Sequence, residues 1–171
     1  MIFDIKEVTI RKLDEHDDLS YFTSYNEDLN DFLKNDALQY QEQLTATTYV
    51  AEYRDRIIGY VSILMDSIKS KTMQKEDRIT EMQVSYYPAM KIGRLAVDKR
   101  YENKGLGRLL VLNIIDFARE IAKNVACRLV IVDAKTEAVE FYKKLKFRLI
   151  RKHEKKKYPT MYFNLITPNN M

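Results

Sequence analysis

The stretch that most narrows the choice of fold runs from residue 90 to residue 123. Residues 90–97 read as a buried strand, residues 108–123 as a strongly apolar helix, and the turn between them carries Gly105 and Gly107. The chain has only four glycines, so two of them in one strand-to-helix turn are informative. Glycine lets a backbone approach a ligand closely and adopt turns closed to other residues. Amides entering the helix there point outward at the positive end of its dipole, a place for phosphate oxygens. Gly-x-Gly alone also describes an ordinary turn, and neither a dinucleotide fingerprint nor a Walker P-loop is complete.

The flanking pattern supplies the rest of the architecture. Residues 6–13 alternate as a strand, and Asn26 has the character of an N-cap for a helix running to about residue 41, with Leu29, Phe32, Leu33 and Ala37 on one face. Residues 47–53 and 56–68 are rich in β-branched and aromatic side chains, with a hairpin break at Arg54-Asp55. Residues 69–83 are polar and read as a loop with a short helical piece. Beyond the apolar helix, residues 128–132 form a short buried strand, residues 137–144 a helix, and residues 147–151 and 158–165 a closing hairpin. The order predicts an α+β domain (α/β three-layer), a mixed sheet with helices on its faces. With no repeat, linker or low-complexity tract, residues 1–171 read as a single domain.

Composition removes several classes of chemistry. One cysteine, Cys127, forms no internal disulfide, and two histidines leave a His/Cys metal site without enough ligands, so no metal is expected. A Ser-His-Asp triad would have to use His16 or His153. The longest stretch without Asp, Glu, Lys or Arg, residues 158–171, is too short and polar for a bilayer span of about 20 apolar residues. Asp4, Lys6 and Glu7 stand where a secretory signal carries its apolar run. The expectation is a cytoplasmic protein with no membrane partner.

The net charge is +4, but its distribution is uneven. Residues 143–157 hold nine basic side chains and one acid, Glu154, a local +8 that leaves the remainder of the chain at −4. Such a segment suits either a solvated strand pair and turn or a polyanionic partner.

Two motifs carry a family resemblance. Leu95-Ala96-Val97-Asp98, followed by Arg100 to Gly107 and Leu109-Leu110, resembles the acetyl-CoA-binding motif of the GCN5-related N-acetyltransferase family, whose pattern is Arg/Gln-x-x-Gly-x-Gly/Ala. Downstream, Ala138-Val139-Glu140-Phe141-Tyr142 with Leu145-Lys146-Phe147 resembles the family's Ala-x-x-Phe-Tyr and Leu-Gly-Phe segment. Upstream, Tyr25-Asn26, Leu29, Phe32-Leu33, Ala37-Leu38, Tyr49-Val50, Ile58-Gly59-Tyr60 and Gly93-Arg94 look like the branch of bacterial toxins that acetylate aminoacyl-tRNA. Together these cover most of residues 6–165.

The resemblance implies a mixed, mostly antiparallel sheet flanked by helices, with acetyl-CoA as co-substrate. It assigns backbone groups of Leu95, Ala96 and Val97 to the thioester arm, and those of Glu102, Asn103, Lys104, Gly105, Leu106, Gly107 and Arg108 to the pyrophosphate. Lys135 and Phe141 fall at further cofactor positions. Tyr142 becomes the general acid that protonates the departing thiolate, although composition alone would make it one core tyrosine among 12. Three residues depart from the pattern: Glu102 for Arg or Gln, Lys135 for a common Asn, and Lys146 for a common Gly.

No general base is evident, because residues 90–97 contain no Asp, Glu or His. A water relayed to Glu81 or Asp98 is one alternative. The gap bears on the acceptor. A lysine amine of pKa about 10.4 is only about 0.04% free at pH 7, an α-amine of pKa about 7.8 roughly 14% free, a difference of roughly 3.5 kcal/mol. A site with little base provision and a basic segment suits an α-amine on a polyanion, so the acceptor is read as aminoacyl-tRNA held through residues 143–157. The same segment could instead serve CoA phosphates or an acidic protein. The alternatives are acetylation of protein N-termini or small amines, and a binding module with a decayed site. The toxin branch further implies a small antitoxin partner and a homodimer.

Overall fold

In the computed structural model, residues 3–150, 153 and 155–166 are described. Arg151, Lys152 and Glu154, which belong to the expected basic segment, lie outside the described residues. The strands are β1 (Thr9–Lys12), β2 (Thr47–Tyr53), β3 (Arg56–Lys69), β4 (Tyr86–Val97), β5 (Leu129–Asp133), β6 (Arg148–Leu149) and β7 (Thr160–Asn164). They form one sheet in the order β1-β2-β3-β4-β5-β7-β6. The β1–β2, β2–β3, β5–β7 and β6–β7 ladders are antiparallel, and β4–β5 is parallel. The helices are α1 (Glu27–Asp31), α2 (Ala37–Glu42), α3 (Leu106–Ala122) and α4 (Val139–Lys144). This is the mixed, mostly antiparallel sheet with flanking helices expected from the sequence. Among the described residues no helix is long and apolar enough to cross a membrane.

The chain divides into two compact units, residues 1–64 with 93–113, and residues 65–92 with 114–171. In the first, Asn26 caps α1 by accepting the Leu29 amide at 3.2 Å. The helix expected to run to about residue 41 widens into a π-helical turn at Phe32–Asp36 before α2. The wide turn leaves Phe32, Leu33 and Ala37 buried together in a core with Leu13, Phe22, Val50 and Tyr60. The Tyr60 hydroxyl donates to the Leu29 carbonyl at 2.8 Å. On the opposite face of β3, a Cβ on Gly59 would stand 3.2 Å from Leu106 and Leu110 of α3. Alternation along β3 therefore puts α1 and α3 on opposite faces, which gives the three layers.

The second unit is organised around Ile68, Met73, Tyr87, Ala89, Leu129, Ile131, Ile150 and Tyr162. The polar stretch read as residues 69–83 lies before β4, which begins at Tyr86 rather than at residue 90. It contains two 3₁₀ turns, Ser70–Thr72 and Lys75–Asp77. Long-range bonds hold it: the Tyr162 hydroxyl donates to Asp77 at 2.6 Å, and the Ile79 amide donates to the Tyr87 hydroxyl at 2.8 Å. Strand β6 keeps only two residues, because Phe147 is taken up by the end of α4.

Candidate active site

In the first unit, β4 leads through the 3₁₀ turn Lys99–Tyr101 into the glycine turn and α3. Asn103 and Gly105 both adopt positive φ, 58° and 85°, a region that glycine enters freely and that asparagine tolerates best among the others. The Leu109 amide makes a helical bond to the Gly105 carbonyl at 3.0 Å. The amides of Leu106, Gly107 and Arg108 thus form the first turn, which has no intrahelical acceptors. These donors, at the positive end of a 17-residue helix, fit a pyrophosphate. Lys104 and Arg108 are exposed beside them and Glu102 is half-buried, so two cations offset the one acid of this turn.

The β4–β5 ladder pairs Ala89–Ile92 with Leu129–Val132, and β4 continues to Val97. The Asp98 amide donates to the Ile58 carbonyl at 2.8 Å, and the Ala96 carbonyl lies 3.3 Å from the Cβ position of Gly59. Both therefore face β3. Alternation turns the amides of Leu95 and Val97 the other way, beyond the last β4–β5 pair at Ile92, so these two, rather than Ala96, are directed to where a thioester arm would be held.

Asp98 is fully buried. Its carboxylate accepts the amides of Thr23 and Arg100, both at 3.0 Å, and two bonds from the Arg100 guanidinium, both at 2.8 Å. Burial opposes its ionisation, but these bonds outweigh it and hold Asp98 below the usual carboxylate range. With both oxygens so engaged, Asp98 ties the β4–α3 turn to Thr23 and is not free to relay a proton. Sequence reasoning did not find the Asp98–Thr23 link, which spans 75 positions. Arg94 was also missed as a cation: its guanidinium lies 3.8 Å from the centre of the Phe32 ring.

Lys135, Phe141 and Tyr142 belong to the second unit. Lys135 precedes the 3₁₀ turn Thr136–Ala138 and accepts the Ala138 amide at 2.8 Å, through its backbone. Phe141 is half-buried, with its ring 5.0 Å edge-on from that of Tyr142. Tyr142 is only 4% exposed, and burial raises its phenol above the ordinary tyrosine value. The hydroxyl has no hydrogen-bond partner among the described residues. It is also absent from the buried orphan atoms there, Thr48 Oγ1, Ser62 Oγ, Arg128 Nε and His153 Nδ1, so its residual exposure includes the oxygen. Helix α4 ends with Lys146 at φ 69°, the amide of Lys146 on the Lys143 carbonyl and that of Phe147 on the Tyr142 carbonyl. This Schellman ending explains why glycine is common at that place in the family motif.

The basic segment is less open than its sequence suggests. Lys143 pairs with Glu140 at 2.8 Å, and Arg148 is held by Asp77 at 2.8 Å and by Glu76. Lys144, Lys146, Lys155, Lys156 and Lys157 are exposed without an acidic partner among the described residues.

Comparison with known proteins places these features in context. The model of the Acetyltransferase (GNAT) family matches residues 10–147. A tRNA-acetylating toxin of Mycobacterium tuberculosis (strain ATCC 25618 / H37Rv) is 26% identical over 140 residues, 81% of this chain and 83% of that protein. Among solved structures, AtaT complexed with acetyl-methionyl-tRNAfMet superposes with a TM-score of 0.84 at 21% identity, covering 92% of this chain and 94% of that one. A Tyr-to-Phe mutant of AtaT bound to the C-terminus of the antitoxin AtaR and acetyl-CoA gives 0.76 at 20% identity, covering 93% and 94%. At these identities the structural likeness is one of fold.

Proposed function

Since the chain belongs to the acetyltransferase (GNAT) family, we propose that it acetylates the α-amine of aminoacyl-tRNA and so blocks translation. It is an N-acetyltransferase that draws its acetyl group from acetyl-CoA. The observation that carries the acceptor reading is an acid without a matching base. Tyr142 is a protonated, buried phenol, whereas β4 contains no Asp, Glu or His and Asp98 has both oxygens committed. Such a site suits an amine that is already largely free near neutral pH, as an α-amine is and a lysine is not. The tRNA-acetylating relative supports the same acceptor.

Each residue then has a task. The first-turn amides of α3, with Arg108 beside them, hold the pyrophosphate. The amides of Leu95 and Val97 orient the thioester arm and stabilise charge developing on its carbonyl oxygen. Tyr142 donates its proton to the CoA sulfur as the C–S bond breaks and the new amide bond forms. The exposed lysines of residues 144–157 attract the acceptor's phosphates.

We further propose that residues 1–171 act as one domain, the family match drawing on both compact units, and that it works in the cytoplasm, where charged tRNA is found. A small antitoxin as partner is supported by the AtaT–AtaR structure; a second copy of the chain is the other partner we assign.

The test is transfer of labelled acetyl from acetyl-CoA to parallel acceptors: charged tRNA, deacylated tRNA, N-terminal peptides and polyamines. The proposal expects label in charged tRNA alone. Label confined to peptides or polyamines would leave the family and remove the acceptor; binding of acetyl-CoA without transfer would indicate a module with a decayed site.

A further inference from the structure

Beside the β2–β3 hairpin, within the first unit, lies a cleft of about 540 Å³. Three aromatic rings form its floor: Phe3 stands 5.0 Å from Tyr53 and 5.2 Å from Tyr101, edge to face. Tyr53 is buried, while Phe3 and Tyr101 remain half-exposed. Its cations are Arg54, Arg56, Arg100 and Lys104, and among the described residues no acid lines it. Arg54 is held by Glu7 and Arg100 by Asp98. Arg56 and Lys104 have no acidic partner among the described residues. Lys104 Nζ sits 5.3 Å from the Tyr101 ring centre and 5.8 Å from that of Phe3, so charge and ring face are presented together. The hairpin tip that carries Arg54 and leads into Arg56 is a two-residue turn with positive φ at both Arg54 and Asp55, where Asn-Gly is the usual choice.

An inorganic anion would leave the aromatic floor unused, and an apolar ligand would leave Arg56, which among the described residues otherwise meets only the Tyr21 ring at 5.2 Å, and Lys104 without a counter-charge. Together the two suit a flat ring joined to a phosphate, the pattern by which unpaired nucleotides are bound. We propose that this cleft binds one nucleotide of the RNA acceptor, its base against Phe3 and Tyr101 and its phosphate between Arg56 and Lys104. The proposal rests on the reading of the acceptor as tRNA and deepens it, moving part of RNA binding from residues 143–157 to the other compact unit. The phosphorylated adenosine of acetyl-CoA has the same chemistry, so the experiment separates the two sources.

The chain contains no tryptophan, so Tyr101→Trp places a single fluorescent reporter in the cleft. Deacylated tRNA is expected to quench it, and adding Arg56→Glu is expected to weaken that response about tenfold. Saturating acetyl-CoA is expected to leave the tRNA response in place. In acetyl transfer, Arg56→Glu should raise KM for charged tRNA about tenfold with KM for acetyl-CoA unmoved, and Arg56→Lys should restore most of the loss. Loss of the tRNA response in saturating acetyl-CoA, with a raised KM for acetyl-CoA in Arg56→Glu, would overturn the proposal in favour of the co-substrate. Efficient acetylation of charged tRNA that ignores Arg56→Glu would overturn it while leaving the acceptor reading intact. Quenching by tRNA, abolished by Arg56→Glu, in a protein that acetylates only peptides would support the cleft and overturn the acceptor reading instead.

Discussion

Phe147 holds Tyr142 twice: its amide donates to the Tyr142 carbonyl at 3.0 Å, and its ring meets the Tyr142 ring edge-on at 5.2 Å. Both contacts come from the Schellman ending of α4, in which the residue beyond the left-handed position returns to the last turn. The phenol is thereby fixed from behind by backbone and ring, and its hydroxyl stays unclaimed. A proton donor with no competing partner can spend its hydrogen on the reaction.

Phe147→Ala should therefore lower both stability and turnover. Loss of a buried ring costs about 3–5 kcal/mol, read by denaturant unfolding. Phe147→Leu, which keeps most of the volume, should recover stability more than kcat, because the edge contact that orients Tyr142 is still missing.

Lys146 occupies a left-handed conformation that costs a non-glycine residue about 1–2 kcal/mol. Lys146→Gly should raise the unfolding free energy, by about 1 kcal/mol once the greater chain entropy of glycine is deducted. At saturating charged tRNA kcat should stay within about twofold, while KM for charged tRNA rises modestly as one exposed cation is lost.

Tyr142→Phe should leave the thermal midpoint and acetyl-CoA affinity nearly unchanged, since the hydroxyl bonds to nothing among the described residues, while kcat falls by about 10²-fold or more. Because burial raises the Tyr142 phenol, it keeps its proton throughout the neutral and mildly alkaline range. The wild-type rate should rise with pH as the acceptor amine loses its proton, near pH about 8 or below, and then level off. A decline beginning below pH about 9 would mean that an acid other than this phenol is titrating.

Asp98 contributes stability whose pH dependence has a definite sign. Its native pKa lies below the unfolded value of about 3.9, so the contribution is present above that value and is lost as pH falls through the native one. Asp98→Asn should cost about 2–4 kcal/mol at pH 7 and flatten the loss of stability between about pH 5 and pH 2. Urea unfolding of both proteins across that range measures it.

What could be read from the sequence was whatever local periodicity and local turn chemistry determine. Strand β2 occupies the expected Thr47–Tyr53, Asn26 caps α1, and the glycine turn opens α3 at Leu106, two residues before the helix read from hydrophobic spacing. The π-helical turn at Phe32–Asp36 was hidden because its cause is tertiary, the joint burial of Phe32, Leu33 and Ala37. Tyr142 was found by its motif, yet its isolation from hydrogen-bond partners depends on packing. The Asp98–Thr23 bond and the cleft between Phe3, the Arg54 hairpin and Lys104 join residues remote in the chain, and no spacing rule connects them. The basic segment shows the converse. Its charge was plain, but Glu140, Glu76 and Asp77 neutralise Lys143 and Arg148 only once the chain has folded.

The most direct measurement is mass spectrometry of the tRNA 3′ end. Charged tRNA is incubated with acetyl-CoA and either wild-type protein or Tyr142→Phe, then digested with a ribonuclease to release the terminal aminoacyl-adenosine. The account predicts one acetyl group on the α-amine of the amino acid with wild-type protein and almost none with Tyr142→Phe in the same time. Acetyl on a base or ribose, or equal yields from the two proteins, would contradict it.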